Sequence, residues 1–152
     1  MSKKHVTDPT LADSISVNML KLMPLLKKRL LHMENVQRIH GTPMSHVQVL
    51  SMLDETGRMT ISELSRRLGI AKPNITPLID KLYEAGYVDR QHGDNDRRVV
   101  NIVILDAGRE KLAAILQTIS ENVQQQVEVL SAADYKELES SMNSIVRILN
   151  DL

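Results

Sequence analysis

Residues 60–104 read TISELSRRLGIAKPNITPLIDKLYEAGYVDRQHGDNDRRVVNIVI, and the order of signals in this stretch decides the fold. Thr60-x-x-Glu63 is a capping box, two side chains that satisfy each other's free backbone amides, and it opens a helix over Ile61–Leu68 that Gly69 closes. Gly69-Ile70-Ala71 is a tight connection. Pro73, favoured in a first helical turn, then begins a helix that runs to Ala85 and stops at Gly86. Ile75, Leu78, Ile79 and Leu82 recur at helical spacing and mark its inward face. After Gly86 the period shortens to about two. Tyr87–Gln91 and Arg98–Ile104 are β-like runs on either side of His92-Gly93-Asp94-Asn95-Asp96, which has the chemistry of a hairpin tip.

Working outward, Ser45-x-x-Gln48 reads as another capping box, opening a helix to about Glu55 with Val47, Leu50, Ser51 and Leu53 inward. Before it, Leu11, Ile15, Met19, Leu22, Leu26, Leu30 and Met33 form one stripe, so residues 11–36 are expected to be a single long helix. Pro24 lacks the amide that residue 20 would accept from, which predicts a kink near Met19–Leu20. Leu20, Met23, Leu25 and Leu31 widen that stripe beyond one side of a small core, as expected of a helix with two packing partners. Past Gly108, Leu112, Ile115, Ile119, Val123, Val127 and Leu130 mark one helix. Ser131-x-x-Asp134 starts another, with Leu138, Met142, Ile145 and Leu149 at the spacing of an interhelical seam.

Composition narrows the class. The 152 residues are 42% hydrophobic and 25% charged, which excludes global disorder. No apolar run approaches the ~20 residues that cross a membrane, and a cytoplasmic location is expected. With no cysteine there is no thiolate ligand, cysteine nucleophile or thiol redox switch. His32, His40 and His46 do not have metal-ligand spacing, so neither a metal nor another cofactor is expected. No phosphate loop, Gly-x-Ser-x-Gly elbow or His-Glu-x-x-His motif points to an enzyme. Asp94 and Asp96 lie among Arg90, Arg97 and Arg98 on a solvated hairpin, without the desolvation that acid–base catalysis needs. Nineteen basic and nineteen acidic residues cancel overall, yet residues 1–40 carry seven basic against three acidic and residues 112–152 two against six.

Three helices with a tight turn before the third, then a charged hairpin, is the order of a winged helix-turn-helix. The expected fold is mainly α with a small β-hairpin wing, and a helical dimerisation region built from both termini. Its parts are an N-terminal dimerisation helix (1–43), a winged helix-turn-helix lobe (44–106) and C-terminal dimerisation helices (107–152). A helix of this kind fits the ~12 Å major groove of DNA, its amide end attracts phosphate, and a ribbon beside it can carry cations to the minor groove.

The motifs Ser45-His46-Val47-Gln48, Ile61 to Ile70, Ile79 to Val88 and Asp94-x-Asp96-Arg97-Arg98, in order over about 45–108, resemble the MarR family of bacterial transcriptional regulators. The resemblance implies a homodimer with interlocked terminal helices on a pseudo-palindromic duplex operator, usually repression, and often release by a small molecule. It also implies that Lys72, Asn74 and Thr76 meet base edges and phosphates, and that Arg98 enters the minor groove. Asp96 would then brace the Arg98 guanidinium through a charge-assisted bond, Arg97 would be free for phosphate, and Arg66, Arg67 and Lys81 would neighbour the DNA backbone. The family's ligand pocket would have Met19, Met23 and His46 in its walls. One departure is Leu105, where the family commonly has threonine; Asp106 is expected to cap the following helix instead. The competing reading is a winged-helix protein-interaction module with no specific DNA binding.

Overall fold

A computed structural model describes residues 8–93 and 96–151. The helices are α1 (Pro9–Leu25), α2 (Met33–His40), α3 (Met44–Thr56), α4 (Ile61–Leu68), α5 (Lys72–Glu84), α6 (Asp106–Val127) and α7 (Ala132–Asn150). Three strands, β1 (Arg58–Thr60), β2 (Val88–His92) and β3 (Val100–Ile104), form an antiparallel sheet in the order β1-β3-β2. The chain divides into two compact units: Met33–Ile119, and the described residues up to His32 together with those from Ser120 onward.

The Met33–Ile119 unit holds the core. Leu50 and Leu53 of α3, Leu64 of α4, Ile75, Ile79 and Leu82 of α5, Ile102 of β3 and Ile115 of α6 are fully buried. Each such side chain stabilises the fold by about 1.5–3 kcal/mol relative to exposure. The four α5 positions expected inward are all buried. On α3 the inward set is Val47, Val49, Leu50 and Leu53; Ser51 is exposed and Val49 takes its place. The Ser45 box does not form either: Pro43 is the N-cap and Ser45 lies inside the first turn, because the helix starts directly after an extended proline. The Thr60–Glu63 box is present in full, and Gly69 closes α4 in the left-handed region at φ 64°.

β1 was not foreseen. Three residues are too few to show a period, yet Met59 pairs with Ile102 and is buried against the core. Tyr87 N–H donates to Leu82 O, and Leu105 N–H donates to Tyr87 O at 2.9 Å, drawing the turn after α5, the end of β3 and the start of α6 together. Gly108 sits against this junction: a Cβ there would lie 2.2 Å from the Tyr87 carbonyl oxygen and 2.9 Å from Ile104 Cγ1. Asp106 is the first residue of α6 and not its cap, so Leu105 occupies the flanking position; the carboxylate still favours the positive end of the helix.

In the other unit the single helix expected over 11–36 is divided. Asp8 caps α1, accepting from Thr10 N at 3.0 Å, and α1 passes Met19 and Leu20 without interruption. The helix widens after Pro24, not at the expected kink site: residues Leu26–Leu30 form a π-type turn in which Leu31 N donates to Leu26 O. His32, with φ 48°, then ends it. A proline removes one amide from the ladder, and the wider turn is one way to restore bonding beyond it. Asn122 Nδ2 donates to Leu31 O at 3.0 Å. Ser131 caps α7 as expected, accepting from Asp134 N. Neither α1 nor α7 has a buried residue, and Leu11, Ile15 and Leu20 are more than 60% exposed.

Candidate nucleic-acid interface

The turn between α4 and α5 is fixed by short-range bonds. Ser65 Oγ donates to Ile70 O at 2.7 Å, Ile70 N returns to Ser65 O, and the left-handed Gly69 lets the chain reverse there. α5 therefore starts at the surface. Lys72, Asn74 and Thr76 are exposed on its first turns while Ile75, Leu78 and Ile79 point inward, as 3.6-residue periodicity requires. Ala71 gives no side-chain cap, and the Asn74 side chain makes no hydrogen bond to a described residue. Asn74 N and Ile75 N both donate to Ala71 O, and Pro73 has no amide. Attraction for an anion at this end thus comes more from Lys72 and the helix field than from free backbone donors. α5 continues through Pro77, and Thr76 Oγ1 donates to Lys72 O at 3.1 Å.

The second element is the arm made by β2 and β3, paired from Val88 opposite Ile104 to His92 opposite Val100. Near its tip, Gly93 N donates to Val99 O, Val99 N to Asp96 O, and His92 Nδ1–H to Arg97 O at 2.9 Å. Asp94 and Asn95 lie outside the described residues. Asp96 acts differently from expectation. Its carboxylate accepts from the Arg98 backbone amide at 2.9 Å, while Arg98 Nε is 4.0 Å away, beyond hydrogen-bond reach. A side chain as short as aspartate's closes on an amide two residues ahead before it can follow a long, mobile guanidinium. Asp96 shapes the arm, and Arg98 extends from it with its side chain 95% exposed. Arg97 is exposed as well.

Arg90 belongs to a different set. It pairs with Asp80 of α5, and its guanidinium carbon lies 5.3 Å from the centre of the Tyr83 ring, so it is engaged within the fold. Reading residues 90–98 as one charged patch missed this; Asp80 and Tyr83 at helical spacing, with an arginine shortly after the turn, were the available signal. Arg66 and Arg67 are exposed at the end of α4. Two bonds from Thr60 hold the Glu63 carboxyl below the usual range, and the two arginines deepen that shift. Lys81 is exposed on α5; burial pushes the His46 imidazole pKa down, and the Lys81 charge adds to it.

The residues suggested for an effector pocket fall in different units. Met19 lines a cavity of about 500 Å³ with Ile15, Leu22 and Leu25 of α1 and Ile145 of α7. Met23 is half exposed and not among that lining, and His46 is half-buried on α3 in the Met33–Ile119 unit. Among the described residues no three His, Asp or Glu side chains gather as a metal site, and no helix is long and apolar enough to cross a membrane.

A helix-turn-helix with an exposed second helix, flanked by a two-stranded arm, defines a winged-helix protein. The MarR family model matches residues 43–100. The uncharacterised helix-turn-helix-type transcriptional regulator YcgE of Bacillus subtilis (strain 168) is 39% identical over 71 residues, covering 47% of this chain and 46% of YcgE. The match thus spans about half the length of that relative. The transcriptional repressor YetL of the same organism is 30% identical over 120 residues, covering 74% of this chain and 72% of YetL. The repressor CouR, solved bound to a 23-mer DNA duplex, shares the fold with a TM-score of 0.69 at 20% identity, over 95% of this chain and 99% of CouR. The chain belongs to the MarR family.

Proposed function

We propose that this protein is a cytoplasmic transcriptional regulator that binds duplex DNA as a homodimer and represses transcription from a pseudo-palindromic operator. The observation that carries the reading is the pairing of two exposed grips on one folded lobe. Lys72, Asn74 and Thr76 open α5, and Arg97 and Arg98 project from the arm, with Arg66, Arg67 and Lys81 as further surface cations. Family membership and the repressor YetL support it. Asn74 would bond adenine N6 and N7, Thr76 would meet phosphate or a thymine methyl, and Arg98 would enter the minor groove. The function is binding, with no catalytic step, and release by a small molecule belongs to the same reading.

Selection of bound fragments from random duplex DNA tests it directly. A palindromic motif with half-sites about 34–36 Å apart is expected, together with an affinity that falls on a log–log plot by about 0.9 per contacted phosphate as salt rises. No enriched motif and no steep salt dependence would favour the protein-interaction module instead. Asn74→Ala is expected to relax preference at one position of each half-site, and an identical motif for both proteins would remove Asn74 from base reading. The uncovered apolar faces of α1 and α7 support the dimer. Sedimentation at micromolar concentration is expected to show two copies, and a monomer there would count against it.

A further inference from the structure

α5 and the arm are joined by the turn Ala85–Tyr87, where Gly86 takes φ 72°. Tyr87 N–H donating to Leu82 O at 3.0 Å pins the base of the arm, but this bond lies at the pivot itself. Three residues further along β2, Arg90 reaches back to α5. It pairs with Asp80 and lies over the ring of Tyr83, two residues spaced along one side of the helix. Opposite Arg90 in the ladder is Ile102, fully buried in the core; directly opposed side chains share a face of the sheet, so Arg90 leaves β2 on its core side and its guanidinium is held at the rim by the helix. The arm is a lever: from Tyr87 to His92 it extends roughly 17 Å, so a tilt of roughly 10° displaces its tip by about 3 Å. A shift of that size exceeds the tolerance of a hydrogen bond or of a side chain seated in a groove.

We infer that Arg90 is a positioning residue that sets the angle between α5 and the arm, so that both meet one duplex in register, and that it makes no phosphate contact itself. The inference rests on the DNA-binding function proposed above. It separates the arginines around the hairpin into two kinds: Arg90 laid back along the surface of α5, Arg97 and Arg98 without such a hold.

The test measures affinity for a duplex selected with the wild type, at several salt concentrations, for Arg90→Gln, Asp80→Asn, the double variant and Arg97→Ala. Arg90→Gln and Asp80→Asn are each expected to bind about five- to tenfold more weakly, the size of an exposed ion pair with a cation–π contact. The double variant is expected to be no weaker than Arg90→Gln, and all three are expected to keep the wild-type salt slope. Arg97→Ala is expected to lower that slope by about one. Residual dipolar couplings of amides in β2 and β3 are expected to change relative to α5 in Arg90→Gln. If Arg90→Gln fails to fold, Asp80→Asn carries the same comparison. A slope reduced by about one in Arg90→Gln, tighter binding by Asp80→Asn, or unchanged affinity in both overturns the inference and leaves DNA binding standing. A wild type that binds no duplex removes both.

Discussion

Replacing Arg98 with alanine is expected to weaken operator binding by about 1–3 kcal/mol, roughly 5- to 150-fold, while the melting temperature stays where it was. The two halves of this expectation come from the same geometry. The Arg98 side chain is 95% exposed, with the Asp96 carboxylate 4.0 Å from its Nε as a loose, solvated ion pair, so its removal leaves no cavity. The bond that shapes the arm runs from the Arg98 backbone amide to Asp96, and an alanine keeps that amide. The fold therefore does not register the substitution, whereas a narrow A·T-rich minor groove, with its concentrated negative potential, would. Titration of a selected duplex at fixed salt, with a parallel thermal melt, measures both. Equal affinity for the two proteins would take the arm out of DNA recognition. Asp96→Ala distinguishes the two residues further, since it removes the acceptor for the backbone amide and disorders the presentation of Arg98 without removing a cation.

Gly108→Ala is expected to lower stability by about 1–3 kcal/mol, and the melting temperature by several degrees up to about 10 °C. Helix propensity alone predicts the opposite sign, because glycine inside a helix is worth roughly 0.5–1 kcal/mol less than alanine. Contact decides the outcome. The added Cβ would stand 2.2 Å from the Tyr87 carbonyl oxygen and 3.0 Å from its carbonyl carbon, both backbone atoms that cannot rotate aside. That same oxygen accepts the Leu105 amide, so α6 can retreat only by breaking the bond that starts it. Thermal and denaturant unfolding measure the change, and a melting temperature equal to or above the wild type would show that the junction yields more easily than its geometry states.

Most of the winged-helix lobe was legible because its signals are local. Thr60 and Glu63 are three residues apart, Gly69 and Gly86 end helices within one turn, and the inward α5 positions follow one period. What escaped depended on distant partners. Met59 is read as strand only once Ile102 lies beside it, and the Val49 burial on α3 requires neighbours on more than one side of that helix. Pro24 announced a disturbance, but the ladder absorbed it further on, in the π-type turn. At the candidate interface, the exposure of Lys72, Asn74 and Thr76 could be read from helix phase. The partner of Arg90 was harder to read: Asp80 and Tyr83 at helical spacing were its one signal, and a run of charges does not say which of them fold back on the helix.

The strand order β1-β3-β2 has a consequence for the behaviour of the protein in a crowded solution. β3, the most apolar of the three strands, is flanked on both sides over residues 101–103, leaving its amides and carbonyls there engaged. The long outer margin of the sheet is β2, which reads Val-Asp-Arg-Gln-His and is polar after its buried first residue. An unpaired strand margin is a template on which another chain can add itself, and charge along it opposes such growth. Recruiting three residues of β1 to cover the greasy strand, and placing the charged one outermost, guards this small sheet against amyloid-like stacking while the arm remains free to project.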